Sequence, residues 1–207
     1  MKISYAITVC TELEEVKALI SFLHIHKNQG DEICVLLDKP KAPQELLDEL
    51  TKYSSLGWIK LSQSEFKGHF AEWKNELTDM CSGDFIFNID ADEIPHINLI
   101  MNLPALLEEN QILDMIRVPR VNTVEGLTEE HIKRWGWNVN EKGWVNWADW
   151  QMRIYKNSKD IRWVNKVHEV LEGFKHHGML PAEEEWALYH PKTIEKQEKQ
   201  NNYYNTL

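Results

Sequence analysis

Over the first ninety or so residues, short continuous apolar runs alternate with stretches whose apolar residues recur at helical spacing. That alternation restricts the chain to a small set of folds. The runs Ile3–Val9, Glu32–Leu37, Gly57–Leu61 and Asp84–Ile89 are predicted strands. Between them lie three predicted helices. Glu12–His26 carries Leu13, Val16, Leu19, Ile20 and Leu23 on one face. Ala42–Tyr53 carries Leu46, Leu47 and Leu50, and Phe70–Cys81 carries Phe70, Trp73, Leu77 and Met80. Thr11 with Glu14 has the spacing of a capping box at the first helix, and Ser82-Gly83 ends the third. Continuous apolar strands suit a parallel sheet covered on both faces. The β-α-β series therefore predicts an open α/β sheet, with ligands gathering at the carboxyl ends of its strands. Thr11-Glu12, Asp38 and Asp90–Glu93 fall there.

The second half is less regular. Leu99–Asn110 reads as a helix with Pro104 in it or at its start, and Asp114–Val121 as a strand ended or bulged by Pro119. From Asn122 to Asp149 the periodicity is lost, as in a functional loop or lid, with a short helix at Glu129–Trp135. Trp150–Tyr155 and Trp163–Leu171 alternate as an antiparallel pair around a turn at Asn157–Asp160, and Thr193–Tyr204 reads as a polar helix. Trp135, Trp137, Trp144, Trp147 and Trp150 crowd one stretch. Such rings form a small satellite core or stack on sugars and bases, and the sequence favours neither.

No linker or repeat divides the 207 residues, so one domain is expected, and 43% apolar residues suit a real core. The net charge of -10 argues against a nucleic-acid backbone as main partner. No apolar run approaches the ~20 residues of a membrane helix. The first apolar run ends at Cys10 with charged residues directly after it, unlike a signal peptide. A cytoplasmic protein, or one peripheral to a membrane, is expected. Cys10, Cys34 and Cys81 have no metal-knuckle spacing and read as reduced thiols.

The residues richest in chemistry are Asn88-Ile89-Asp90-Ala91-Asp92-Glu93. A strand delivers two carboxylates, one small residue apart, into a turn. One can reach a hard divalent cation while the other reaches a sugar or ribose hydroxyl. The plainer reading is a solvated acidic turn, and a bare D-x-D is too common to decide. With Lys74-Asn75 on the preceding helix and Gly83-Asp84 leading the strand, the segment resembles family 2 glycosyltransferases of the GT-A fold. Gln151–Asn157 and Val167-His168-Glu169 resemble the branch that includes lipopolysaccharide-core glucosyltransferases.

The resemblance implies a GT-A nucleotide-diphospho-sugar transferase fold, a Rossmann-like mixed sheet flanked by helices. Residues 1–95 would bind the nucleotide-sugar and 96–207 the acceptor, with a Trp-rich loop at 122–150. It implies a metal-assisted, inverting transfer from a nucleotide-diphosphate sugar, UDP-sugar favoured, to an acceptor hydroxyl. The acceptor could be a saccharide, a lipid-linked sugar, a protein or a nucleobase. Thr11, Glu12, Asp38, Lys74, Asn75, Asp90, Ala91 and Arg153 would contact the nucleotide-sugar. Asp92 and His190 would hold Mn²⁺ or Mg²⁺. Glu169 would be the general base, with His168 beside it; alternatively His168 is the metal ligand and Glu169 structural. Arg153 or Lys156, and Lys192 if the tail folds over, could face the phosphates. A nucleotidyltransferase, or a non-catalytic sugar-binding relic of the fold, are the other readings; the first lacks a Gly-rich basic loop after the first strand.

Overall fold

In the computed structural model, residues 1–204 are described, with side chains through Asn201. The alternation of the first half becomes β1 (Ile3–Val9), α1 (Leu13–His26), β2 (Glu32–Asp38), α2 (Gln44–Ser55), β3 (Lys60–Ser64), α3 (Phe70–Met80) and β4 (Phe85–Asp90). Then come β5 (Ile94–Pro95), α4 (Ile97–Glu109), β6 (Met115–Glu125), α5 (Glu129–Trp135), β7 (Val145–Lys156), β8 (Arg162–Val164), β9 (Val170–Glu172), β10 (His177–Met179), β11 (Leu188–Thr193) and α6 (Ile194–Tyr204). Among the described residues, nine strands form one mixed sheet in the order β3-β2-β1-β4-β7-β6-β11-β5, with β10 beside the start of β6. The sheet runs across the division near residue 95. No described helix is long and apolar enough to cross a membrane.

The continuous apolar strands are explained by a sheet covered on both faces. Ile3, Tyr5, Ile7 and Val9 of β1 pack with Ile33, Val35, Leu37, Phe85, Phe87 and Ile89 against α1, α2 and α4. Ala6, Cys34, Leu36 and Ile86 face the other way, onto Ala71, Trp73 and Leu77 of α3. Burying one Leu or Ile in such a layer stabilises by roughly 1.5–3 kcal/mol. Gly83 sits where the chain enters β4. A methyl group there would lie 2.7 Å from the Ser4 nitrogen and 2.9 Å from the Lys2 oxygen. Gly83→Ala is expected to destabilise the fold by about 1–3 kcal/mol, read from the urea midpoint; an unchanged midpoint would refute this packing account.

Several expectations are corrected. The capping box does not form. The Glu12 carboxylate folds back to accept from the Cys10 and Thr11 N–H groups at 2.8 Å each, and α1 has no side-chain cap. The third strand begins at Lys60, not Gly57, because Gly57 and Trp58 close α2 through bonds to Ser54 and Tyr53. Pro119 does not end β6. On the side away from β7, β10 pairs residues up to Arg117 and β11 from Arg120, so neither pairs at the proline. The stretch 122–149 is only partly loop, since β6 and β7 extend into it. Residues 163–171 are not a strand beside 150–155. They form the β8–β9 hairpin, while β7 joins β4 to β6. The five clustered tryptophans are all half-buried, so none completes a sealed satellite core.

The seam between β4 and β7 shapes the mouth of the sheet. It is paired only over Phe85–Phe87, opposite Lys156–Ile154. On its other edge, β7 pairs Ile154 with Ile116 and then Met152 with Arg117, leaving Arg153 as the extra residue of a bulge. Bulges re-aim side chains. Here the strands part from Asn88 onward, and Arg153 turns into the fork between them.

Candidate active site

The carboxyl ends of β1, β2 and β4 open on a cavity of about 970 Å³, closed from the other side by β6, β7, β11, α6 and the β8–β9 hairpin. Glu12, Asp38, Lys74, Asp90, Ala91, Asp92, Arg153, His168, Glu169, His190 and Lys192 all line it. Thr11 and Asn75 do not. Thr11 is exposed on the turn after β1. Asn75 instead holds Trp163 as a strand would, accepting from its N–H at 3.0 Å and donating to its carbonyl at 2.9 Å. Lys156 also lies elsewhere, paired with Asp114 at 2.9 Å.

The two acids of the D-x-D turn have different surroundings. Asp90 Oδ2 accepts from Arg153 at 2.6 Å, and its other oxygen lies 3.8 Å from Lys74 Nζ. Burial pushes its carboxyl up, but the charges of Arg153 and Lys74 hold it well below the usual carboxylate range. Arg153 also donates at 2.6 Å to Glu93, which is fully buried, and Arg120 reaches the same Glu93 oxygen at 3.1 Å. Glu93 in turn accepts from the Asp90 N–H at 3.1 Å, which fixes the turn. The charge of Asp90 is thus met from within.

Asp92 faces the other way. Its Oδ2 lies 3.5 Å from His190 Nε2 and 3.2 Å from Lys196 Nζ of α6. Burial raises its carboxyl, yet His190 and Lys196 keep it below the usual range. His190 is placed by β11, where it pairs in register with Asn122.

The polarity of the His190–Asn122 contact is set by the groups around it. Asp149 Oδ2 accepts from Arg120 and from Asn122 Nδ2, at 2.8 and 2.9 Å. A carboxylate only accepts, so the amide must direct its NH₂ to Asp149 and its oxygen to His190. That oxygen lies 2.8 Å from Nδ1, so Nδ1 carries the hydrogen. Nε2 is left as the atom facing Asp92. An imidazole held this way beside a carboxylate offers one nitrogen and one oxygen ligand to a divalent cation such as Mn²⁺. Among the described residues, no third His, Cys, Asp or Glu joins the pair.

The hairpin brings the remaining chemistry. Glu169 Oε1 is 2.6 Å from Lys74 Nζ, which also stands over the Trp163 ring at 4.5 Å. Trp163 is anchored through its indole N–H to Tyr155 Oη at 3.1 Å. Asn165 and His168 have φ of +76° and +56° in the loop between β8 and β9. Left-handed backbone at such residues is uncommon and clusters where side chains are held for function. On the opposite wall, Asp38 is 2% exposed and accepts from the Phe66 N–H at 3.1 Å.

Sequence reasoning missed Arg120, Asn122, Asp149 and Lys196. The first three lay in or beside a stretch read as irregular. The i, i+2 spacing of Arg120, Asn122 and Val124, matched by His190 and Lys192, was the signal that could have found them. If His190 holds a metal and Asp149 orients Asn122 behind it, then Asp149→Asn should weaken Mn²⁺ binding about 10-fold or more, the cost typical of outer partners of a metal ligand. Calorimetry with the full chain checks this, and wild-type affinity in the variant would dismiss the orienting role.

No protein-family model matches the chain, and no curated protein matches it in sequence. Solved structures do. Residues 1–349 of S. aureus TarS superpose with a TM-score of 0.64 at 16% identity, over 92% of this chain and 60% of that one. The same segment in complex with UDP-GlcNAc gives 0.64 at 15% identity, over 93% and 59%. TarS itself gives 0.62 at 15% identity, over 92% and 37%. The chain therefore spans about 60% of the 1–349 segment. The likeness shows that this protein has the GT-A glycosyltransferase fold.

Proposed function

We propose that the protein is a glycosyltransferase that moves a sugar from a nucleotide-diphosphate donor, UDP-sugar by preference, to an acceptor hydroxyl. The observation that carries this reading is the convergence of Asp38, Asp90, Asp92, His190 and Glu169 on one cavity at the carboxyl ends of parallel strands. The fold it shares with TarS, which has been solved with UDP-GlcNAc, supports the same donor class. Membership of family 2 and an inverting outcome belong to this proposal, as does the division into a donor half at 1–95 and an acceptor half at 96–207.

In this reading Asp38 and Glu12 face the base and ribose, with Asp90 and Ala91 near the ribose and diphosphate. Asp92 and His190 would hold Mn²⁺ or Mg²⁺, which when bound neutralises charge on the leaving diphosphate. Lys192 lies on the same wall, and burial lowers its ammonium below the ordinary lysine value. Arg153 acts at one remove, by holding Asp90 and Glu93. Lys74 orients Glu169, whose carboxylate takes the acceptor proton as the anomeric carbon passes through an oxocarbenium-like state. Trp137, Trp150 and Trp163 line the cavity and offer flat faces to an acceptor.

Calorimetry with UDP in the presence of Mn²⁺ tests the reading. Binding that disappears in Asp92→Asn is expected. No heat with UDP or any other nucleoside diphosphate would sink it. A nucleotidyltransferase would instead release pyrophosphate.

A further inference from the structure

We propose that Lys196 is a built-in counter-ion for Asp92, and that a divalent cation reaching Asp92 and His190 must displace that ammonium toward Glu15. The inference rests on the metal-ligand reading of those two residues. It goes beyond that reading by naming the charge that competes with the cation.

The geometry is direct. One oxygen, Asp92 Oδ2, faces both His190 Nε2 at 3.5 Å and Lys196 Nζ at 3.2 Å. A cation bridging Asp92 and His190 would stand beside a second positive charge on the same oxygen. Like charges that close, in a partly buried site, oppose one another strongly. The ammonium must therefore withdraw, and the structure offers it a destination. Glu15 of α1 already lies 3.4 Å from Lys196 Nζ and is half exposed.

Lys196 is carried by helix α6, which follows β11 directly. None of its described side chains is buried. Its charged links to the body are Lys196 with Glu15 and Asp92, and Glu198 with Arg134 and His131 of α5 at 2.7 and 3.8 Å. Exposed ion pairs contribute little to holding an element in place. Before the cation arrives, Lys196 keeps the Asp92 charge balanced.

The test titrates the full chain with Mn²⁺ alone, without nucleotide, reading free Mn²⁺ by electron paramagnetic resonance. Lys196→Gln is expected to bind Mn²⁺ about tenfold tighter than wild type, the effect of removing one close like charge. Lys196→Arg, which keeps the charge, should stay near wild type. Asp92→Asn should abolish binding in either background. Circular dichroism confirms that each variant is folded. Equal or weaker binding by folded Lys196→Gln overturns the proposal, as does a lack of Mn²⁺ binding by both chains.

A separate UDP titration keeps the two readings apart. Asp92-dependent Mn²⁺ binding that tightens in Lys196→Gln, with no response to UDP, upholds the counter-ion and refutes the transferase. UDP and Mn²⁺ binding that ignores Lys196→Gln refutes the counter-ion alone.

Discussion

Glu169→Gln is expected to slow turnover of the donor by about 10²–10⁴-fold, the range for loss of a general base, with UDP affinity near its wild-type value. Glutamine keeps the size of the side chain and can still accept from Lys74, now 2.6 Å from the carboxylate. Lys74 also keeps its place over the Trp163 ring, so the hairpin should stay docked. What is lost is the ability to take a proton. In the proposed reaction, hydrolysis of the donor by water would use the same base, so UDP release at saturating donor measures the effect without a known acceptor. A wild-type rate in this variant would remove Glu169 from the chemistry and return attention to His168. If UDP affinity fell as well, the residue would be holding the donor or the fold.

Arg153→Met should cost about 3–5 kcal/mol of stability, because it leaves two carboxylates without the guanidinium that joins them. Glu93 is fully buried and Asp90 half-buried, and both accept from the same Arg153 nitrogen. Arg120 would still reach Glu93, but Asp90 would keep only the more distant Lys74. Arg153→Lys keeps the charge without the fork and should fall between the two. Denaturant midpoints decide it; a loss under about 1 kcal/mol would mean the pair is dispensable.

The acid limb supplies a second readout. The Asp90 carboxyl is held low in the fold, so its contribution is present above the unfolded value of about 4 and is lost as the pH falls through the depressed value. In Arg153→Met that depression shrinks. The loss of stability between neutral and acid pH should be smaller than in the wild type.

How far the sequence could be read depended on where the information lay. Strands β1, β2 and β4 are covered on both faces, so their apolar runs announce them whatever their neighbours do. Asp90 and Asp92 were legible for the same reason, since a buried strand fixed where the acidic turn must emerge. Strand β11 was not. Leu188–Thr193 holds one apolar residue at its start, a proline and alternating polar groups, a pattern that makes sense only with β6 beside it. Residues 163–171 alternate convincingly, yet pair within themselves, because alternation marks a strand and not its partner. Asn75 matched a motif but serves as a backbone clamp. Lys196 lies in a helix of mixed charge, which in isolation reads as a solvated face.

The parting of β4 and β7 has a consequence for any molecule that enters the cavity. Two antiparallel strands would ordinarily zip to their ends and leave no room. Here the zipper stops at Phe87, and the Arg153 guanidinium stands in the gap like a strut between rafters. The gap is therefore present and filled in the folded chain, and a ligand that reaches the cavity meets a wall already parted and braced. That part of the cavity wall is propped by one side chain and by the two carboxylates that grip it.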